Sequence, residues 1–560
     1  MRLRMLRIGL VVAAAAMAQQ PPGVTNAAVS GVVKDAVTGK PLANYNVSTY
    51  VNATWANNAL FTNANTKQVQ SVTDEQGHYR IGDLPPGRYR IEARNAQTFG
   101  ANATRRVTLS GQDLDGIDFS IMVNGSISGK VTDDNKEPVP GLSVLLVSRE
   151  YFNGVLGYFF KNQATTDDRG EYTLQRVEAG HPYLVMVEKR ERSLPAHSEV
   201  PLDQKLRRRA AVRTFYPNST VKEGAAAVTV GPGEHREHVD IELKKSLNYC
   251  LEGTLRGPLG PAALTFTIEG TQPSYGQSST GGMFGMAPGG ITGPDGKLRI
   301  CDLSPGTYRL AAMERRAGAG PRGPNANQAL VPVTIADRDL SKIEISVSQG
   351  LSIDGEVVWD GVAPEQPVST KVNVSIGPLL RGPLPGENAN ARVEIPGTFH
   401  FAGLVAGDYG VRTMVNAPGL YVKDVTYGGN SIMNQPLHMG EAMAGGVRVV
   451  MALDGATIGA RVANKDGQPV PGMRVWIIPA NVGSEAILQA EMFGGETDQL
   501  GQFISHTVAP GKYYVAATAD MFEATPESVG RLWRARNRFQ EVDVAPSAAA
   551  QVTLVPVKVE

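Results

Sequence analysis

The chain holds eight histidines and two cysteines in 560 residues, so few places could bind a metal or host a nucleophile. His438-Met439-Gly440-Glu441 has the H-x-x-E form that gives a zinc hydrolase two of its ligands. With eight histidines and Glu at about one position in twenty, roughly 0.4 such pairs arise by chance. Such an enzyme also needs a distant third ligand and a large catalytic domain with helices, whereas this pair lies among short strands. His235-Arg236-Glu237-His238 lacks the i, i+4 spacing that sets two histidines on one helical face, and it leads straight into an alternating strand. The sequence has no G-x-S-x-G elbow, no phosphate loop and no cysteine with a histidine nearby. The reading is a chain with no catalytic residue, no metal ligand and no cofactor.

Other side chains recur without forming a constellation. Tyr79, Tyr89, Tyr308, Tyr409 and Tyr513 stand at matching places of a repeat, which points to core or corner packing with each hydroxyl bonded to backbone. Asp74, Asp167, Asp295 and Asp498 recur at turns, and one or two carboxylates per copy fall short of the roughly six oxygens that calcium requires. "REYFNGVLGYFFKNQ" (149–163) gathers Tyr151, Phe152, Tyr158, Phe159 and Phe160 between two strands. Rings so clustered stack on a sugar or anchor a protein; the other reading is a hairpin that extends a sheet, half its rings buried against the first module. Cys250 and Cys301 either form a disulfide or stay as buried thiols on separate strands. A bridge would close a loop of about 50 residues, worth roughly 4 kcal/mol on the chain-entropy model.

The elements that place these residues come from a repeat. "TDEQGHYRIGDLPPGRYRI" (73–91) returns at 166–185, 293–310, 394–411 and 497–515. Each copy carries two glycines ten apart: Gly77/Gly87, Gly170/Gly180, Gly296/Gly306, Gly397/Gly407 and Gly501/Gly511. Drift would scatter that spacing unless a rigid local structure required it. An Asp or Pro opens a tight turn, and the first glycine closes a hairpin at positive φ. An alternating strand follows, with Tyr79 and Ile81 in the first copy. Pro86-Gly87, Pro305-Gly306 or Pro510-Gly511 then makes a second turn with glycine in the left-handed position, copies two and four having Ala for Pro. Upstream, Gly31, Gly129, Gly253, Gly355 and Gly459 mark a first strand; downstream, 116–121, 238–243, 342–347, 447–453 and 551–557 read as a last one. Six or seven short strands in about 100 residues bury their apolar faces most economically as an antiparallel sandwich.

The expected fold is therefore all-β: a tandem array of about five β-sandwich modules. They span 24–122, 123–245, 246–349, 350–453 and 454–560, with insertions at 149–163 and 188–226 in the second. The stretch 526–539 reads as one short helix with Leu532, Trp533 and Phe539 against module five, and 278–290 and 316–328 as flexible loops. Residues 1–18 have the form of a secretory signal peptide: Arg2, Arg4 and Arg7, an apolar run from Ile8, and Ala16-Met17-Ala18 before the cut. No other stretch is apolar enough for a membrane helix. Lys+Arg and Asp+Glu both total 54, and a neutral chain lacks the surplus positive charge that nucleic acid demands. The run Lys205-Leu206-Arg207-Arg208-Arg209 reads as a solvated loop.

The pattern G-x-V-x-D…G-x-P-x-x-G-x-x-V…T-D-x-x-G-x-Y…P-G-x-Y resembles the carboxypeptidase regulatory-like domain. That family is a transthyretin-like (prealbumin-like) sandwich related to immunoglobulin-like ones and also classed as a carbohydrate-binding-like fold. Residues 458–477 and 497–515 carry the likeness best, copies three and four least, and 213–220 and 419–430 resemble connectors of bacterial multi-domain members. The resemblance implies non-catalytic modules, found beside metallopeptidases, in outer-membrane receptors and in adhesins. It leads to an exported scaffold or recognition protein, periplasmic, outer-membrane-associated or extracellular, whose partner is an envelope protein or a glycan. The alternatives are a structural spacer or assembly protein, and an accessory part of a peptidase or receptor system.

Overall fold

The computed structural model describes residues 26–559 apart from 53, 57–58, 62–63, 96–102, 153, 189–196, 198–202, 204–208, 271–274, 277–288, 315–326, 362–370, 380–387, 416, 434, 441–444, 520–521 and 523. The leader, most of the basic run and most of the two flexible loops thus lie outside the described residues.

Module one contains β1 (Ala27–Asp35), β2 (Tyr45–Val51), β3 (Thr54–Ala56), β4 (Ala59–Phe61), β5 (Lys67–Val72), β6 (His78–Leu84), β7 (Gly87–Asn95), β8 (Ala103–Leu109) and β9 (Phe119–Ile121). One sheet runs β6-β1-β9 and the other β5-β2-β7-β8. The period-2 pattern of each strand aims one face inward: Tyr79, Ile81 and Leu84 from β6, Tyr89, Ile91 and Ala93 from β7, with Val29, Val33 and Phe119 between the sheets. Each large apolar side chain so buried contributes about 1.5–3 kcal/mol. The arrangement recurs around four more cores, within 127–243, 249–347, 353–451 and 456–554.

One departure from a purely antiparallel sandwich is common to all five. The first strand pairs in parallel with the last, as at Val33↔Phe119, Val131↔Ile241, Leu255↔Ile345, Val357↔Val449 and Ala460↔Val552. These strands are joined through the whole module and not by a hairpin, so nothing local forces them to run opposite ways.

The first turn of the repeat is built as its residues imply. The Asp74 carboxylate accepts from the backbone N–H of Gln76 (3.0 Å) and His78 (2.8 Å); Asp167 and Asp498 do the same two and four residues on. Gly77, Gly170, Gly296 and Gly501 take φ between 65° and 76°. A β-carbon on Gly77 would also lie 2.5 Å from the Val33 carbonyl oxygen, so the position excludes every other residue twice over. Copy four differs: Gly397 is not at positive φ, and the Ile395–Pro396 peptide before it is cis.

The second turn corrects the sequence reading. Gly87 is not left-handed, and a β-carbon there would meet nothing nearer than the Tyr89 ring at 3.6 Å. Gly180 is left-handed at 88°, while Gly306, Gly407 and Gly511 lie at 146° to 157°. The shared left-handed residue of copies one to four stands four places earlier, at Asp83, Arg176, Asp302 and Gly403. There a β-bulge shifts the register against the first strand. The tyrosine after the second turn secures it: Tyr89, Tyr308 and Tyr513 donate to the carbonyls of Pro85 (2.7 Å), Ser304 (2.8 Å) and Ala509 (2.7 Å).

Gly77→Ala should destabilise module one by about 2–4 kcal/mol through backbone strain and overlap, speeding hydrogen exchange in β1 and β6 roughly 30- to 1000-fold. Gly87→Ala should change it by under about 1 kcal/mol. Equal effects at the two positions would contradict this account of the turns.

Candidate functional site

Module two begins with β10 (Gly125–Thr132), β11 (Ser143–Phe152) and β12 (Val155–Thr165). The five rings lie on the β11–β12 hairpin, Tyr151 opposite Leu156 and Phe152 opposite Val155. They do not share an exposed face, because neighbours along a strand point to opposite sides. Phe160 is buried with Leu145, Met186 and Phe215, and Phe159 is buried as well. Tyr158 lies beside the Lys222 ammonium, 5.2 Å from its ring centre. The side chain of Phe152 lies outside the described residues. Tyr151 packs against module five, not module one, and its N–H donates to the Ala524 carbonyl at 2.7 Å.

Its platform comprises two helices, α1 (Glu485–Glu491) and α2 (Pro526–Ala535). The second forms where the sequence reading put a helix. Thr525 caps it by accepting from the Ser528 N–H, Pro526 opens it, and Glu527 and Arg534 match the dipole at its two ends. Leu532 is buried, with Trp533 and Phe539 packed against the same cluster. The sequence reading missed α1, although Glu485-Ala486-Ile487-Leu488-Gln489-Ala490-Glu491 is made almost wholly of good helix formers. Leu488, Val529, Leu532, Ile478 and Val482 form a small core beside the sandwich, into which Tyr151 and Ile487 fit.

A charged cluster joins modules one and five. Arg105 of β8 lies 3.7 Å from Glu496, and the Arg106 guanidinium stands 5.7 Å from the Phe503 ring centre. Arg474 lies over Trp476 at 4.6 Å, and Arg90 pairs with Glu92 at 3.2 Å. Burial is the largest influence on each perturbed member: it raises the Glu496 carboxyl pKa against the pull of Arg105 and Arg474, and lowers those of Arg106 and Arg474. His506 is likewise held down by burial and then by Arg106. Beside the cluster, the Thr108 N–H donates to Gln499 Oε1 (3.2 Å) and the Thr108 carbonyl accepts from Gln499 Nε2 (2.9 Å). The sequence offered one hint, adjacent Arg105-Arg106 on a strand, and none of what would face them.

The remaining candidates resolve individually. Cys250 and Cys301 are joined by a disulfide between adjacent antiparallel strands, with Cα atoms 4.0 Å apart. The Tyr79 and Tyr172 hydroxyls donate to the carbonyls of Ile117 and Val239, both at 2.6 Å. His438 lies on the strand Leu437–Met439 and pairs with Asp408, while Glu441 is outside the described residues. His235 bonds Ser126 at 2.6 Å, and His238 sits three residues along at φ 60°. Among the described residues no group of three or more His, Cys, Asp or Glu is placed to hold a metal ion, and no helix is long and apolar enough to cross a membrane.

Residues 28–121 match the model of the carboxypeptidase regulatory-like domain. No curated protein matches the chain. Solved structures similar to it include the minor pilin GBS52 of Streptococcus agalactiae (17% identity over 39% of this chain and 96% of that one, TM-score 0.23). The TIE protein of Bacillus anthracis is 11% identical over 97% of this chain and 75% of that one, with a TM-score of 0.15. TM-scores this low give no ground for carrying anything from those proteins to this one.

Two outcomes are expected. Because burial raises the Glu496 pKa, its contribution favours the folded state below the ordinary value of 4.5 and is lost as pH rises through the raised one. His506, lowered from 6.5, contributes above 6.5 and loses that contribution as pH falls. The difference in unfolding free energy between wild type and Glu496→Gln isolates the carboxylate and should move in favour of wild type as pH is lowered from neutrality to 4.5. Separately, reducing the disulfide, which spans 51 positions, should cost module three up to about 4 kcal/mol and leave exchange in module one unchanged.

Proposed function

We propose that this chain, whose first module is a carboxypeptidase regulatory-like domain, is an exported, non-catalytic scaffold of the cell envelope that recognises a protein partner through the edges of its sheets. One observation carries the reading: the polar residues that recur from module to module are spent on structure. Tyrosine hydroxyls bond backbone carbonyls and aspartates hold turns, so the repeat preserves a shape and leaves variation to edges and insertions. Export rests on the leader form of residues 1–18.

A protein partner is favoured over a glycan because the aromatic hairpin buries Phe159 and Phe160 and packs Tyr151 into a module junction, and sugar binding needs exposed, coplanar rings. A stiff linear spacer draws no support from contacts that bring module five against modules one, two and four. An accessory role beside a peptidase or an outer-membrane receptor remains compatible with recognition by sheet edges.

The tagged full chain, lacking the leader, should capture a defined envelope protein from an extract and give no reproducible hit on a glycan array. Its small-angle scattering should lack the long tail of a five-module rod. Glycan hits with no captured protein, or a rod-like profile, would overturn the reading.

A further inference from the structure

The sheet β5-β2-β7-β8 ends at β5, which among the described residues pairs only with β2. Just beyond β5, the Thr73 N–H donates to the Tyr45 carbonyl of β2 at 2.9 Å. Main-chain groups alternate sides along an antiparallel strand, so Lys67, Val69 and Ser71 turn theirs to β2. Those of Gln68, Gln70 and Val72 point away from the sheet. All three of these residues are exposed, Val72 by 57%. End strands are ordinarily kept from pairing by a charge, a proline or a covering segment. β8 carries Arg105 and Arg106 and is met by Gln499, and the end strand Gln540–Val544 of module five carries Glu541 and Asp543. The stretch 68–72 has neither charge nor proline, and its outward residues are open to solvent.

The chain already takes an added strand at the matching edge of module two. There β12 stands where β5 does, and Tyr275–Gly276 of module three runs parallel beside it, Tyr158↔Tyr275 and Phe159↔Gly276. In module one the sequence of the edge answers itself. With Gln70 facing Gln70 across a twofold axis, Gln68 faces Val72, Val69 faces Ser71 and Lys67 faces Thr73. The outward residues of the two copies then exchange about six main-chain hydrogen bonds. No like charges meet, and each Lys67 comes next to Asp74 of the other copy, an exposed carboxylate. We propose that β5 is the edge at which a second copy of this chain adds, antiparallel, joining two four-stranded sheets into one. Such a contact uses the same patch on both copies, so it closes at the dimer. One strand pair buries less than the roughly 1,200 Å² of a stable complex, which sets the expected Kd on the order of 100 µM. The dimer is separate from the envelope partner proposed above and does not depend on it.

Sedimentation equilibrium of the full chain without its leader, from about 5 to about 500 µM, should show a reversible monomer–dimer equilibrium. Over that range the N–H groups of Gln68, Gln70 and Val72 should gain about threefold protection from exchange. Those of Val69 and Ser71, already bonded within the sheet, should not change. Gln70→Lys sets two like charges face to face at the axis and should weaken association about fivefold, while unchanged exchange in β1 and β6 certifies the fold. An equimolar mixture of Gln70→Lys and Gln70→Glu should recover it. A monomer throughout, a dimer indifferent to Gln70→Lys, no recovery in the mixture, or protection that does not alternate along β5 would overturn the proposal. If the chain still captures its envelope protein in that event, the scaffold reading stands and only this edge is wrong.

Discussion

In modules one and two the architecture depends on one close approach: a backbone carbonyl seated against the first strand where that strand has no β-carbon. The Ile117 carbonyl lies over Gly31 and that of Val239 over Gly129, so close that any side chain at the glycine would overlap it. The hydroxyls of Tyr79 and Tyr172, each opposite the glycine on the neighbouring strand, reach over it to the same two carbonyls and supply the hydrogen bond that burial would otherwise deny them. Glycine and tyrosine thus work as a pair: one makes room for the returning chain, the other satisfies it. That seat brings the last strand alongside the first in parallel and closes the sandwich. Module three keeps the glycine, Gly253 against Ile343, but has Leu298 for the tyrosine; in module four the Phe399 ring fills the space over Gly355.

The contacts that module five makes with modules one and two are of two kinds. The β11–β12 hairpin meets module five through Tyr151, which packs against a small apolar core whose buried members Leu488, Val529 and Leu532 all belong to module five. The β8 edge meets it through a few hydrogen bonds and a half-buried ion pair whose carboxylate is costly to desolvate.

Much of each module was legible because its signals act over a few residues. Asp74 reaches Gln76 and His78, and Tyr89 reaches Pro85, so spacing in the chain is spacing in space. The second turn misled where two mechanisms compete for one pattern. A Pro-Gly pair ordinarily implies a left-handed glycine, but a bulge had already placed the left-handed residue at Asp83, and Gly87 had nothing left to relieve. The rings of 149–163 misled in another way: clustering along a strand reads as clustering in space, yet the pleat sends Phe159 and Phe160 to different surroundings.

The amino-acid order by itself determined the repeated sandwich, the first turn of each of copies one, two, three and five, and the helix at 526–539, since hydrophobic period, turn chemistry and caps are all local. It also brought Cys250 and Cys301 into view as possible partners, without deciding between bridge and thiols. Only the tertiary structure decided that they join, that the first and last strands run parallel, that Tyr151 serves a junction, and that Gln499 meets Thr108 from 391 positions away. Such contacts arise when separately folded surfaces meet. No periodicity within either segment encodes which surface that will be.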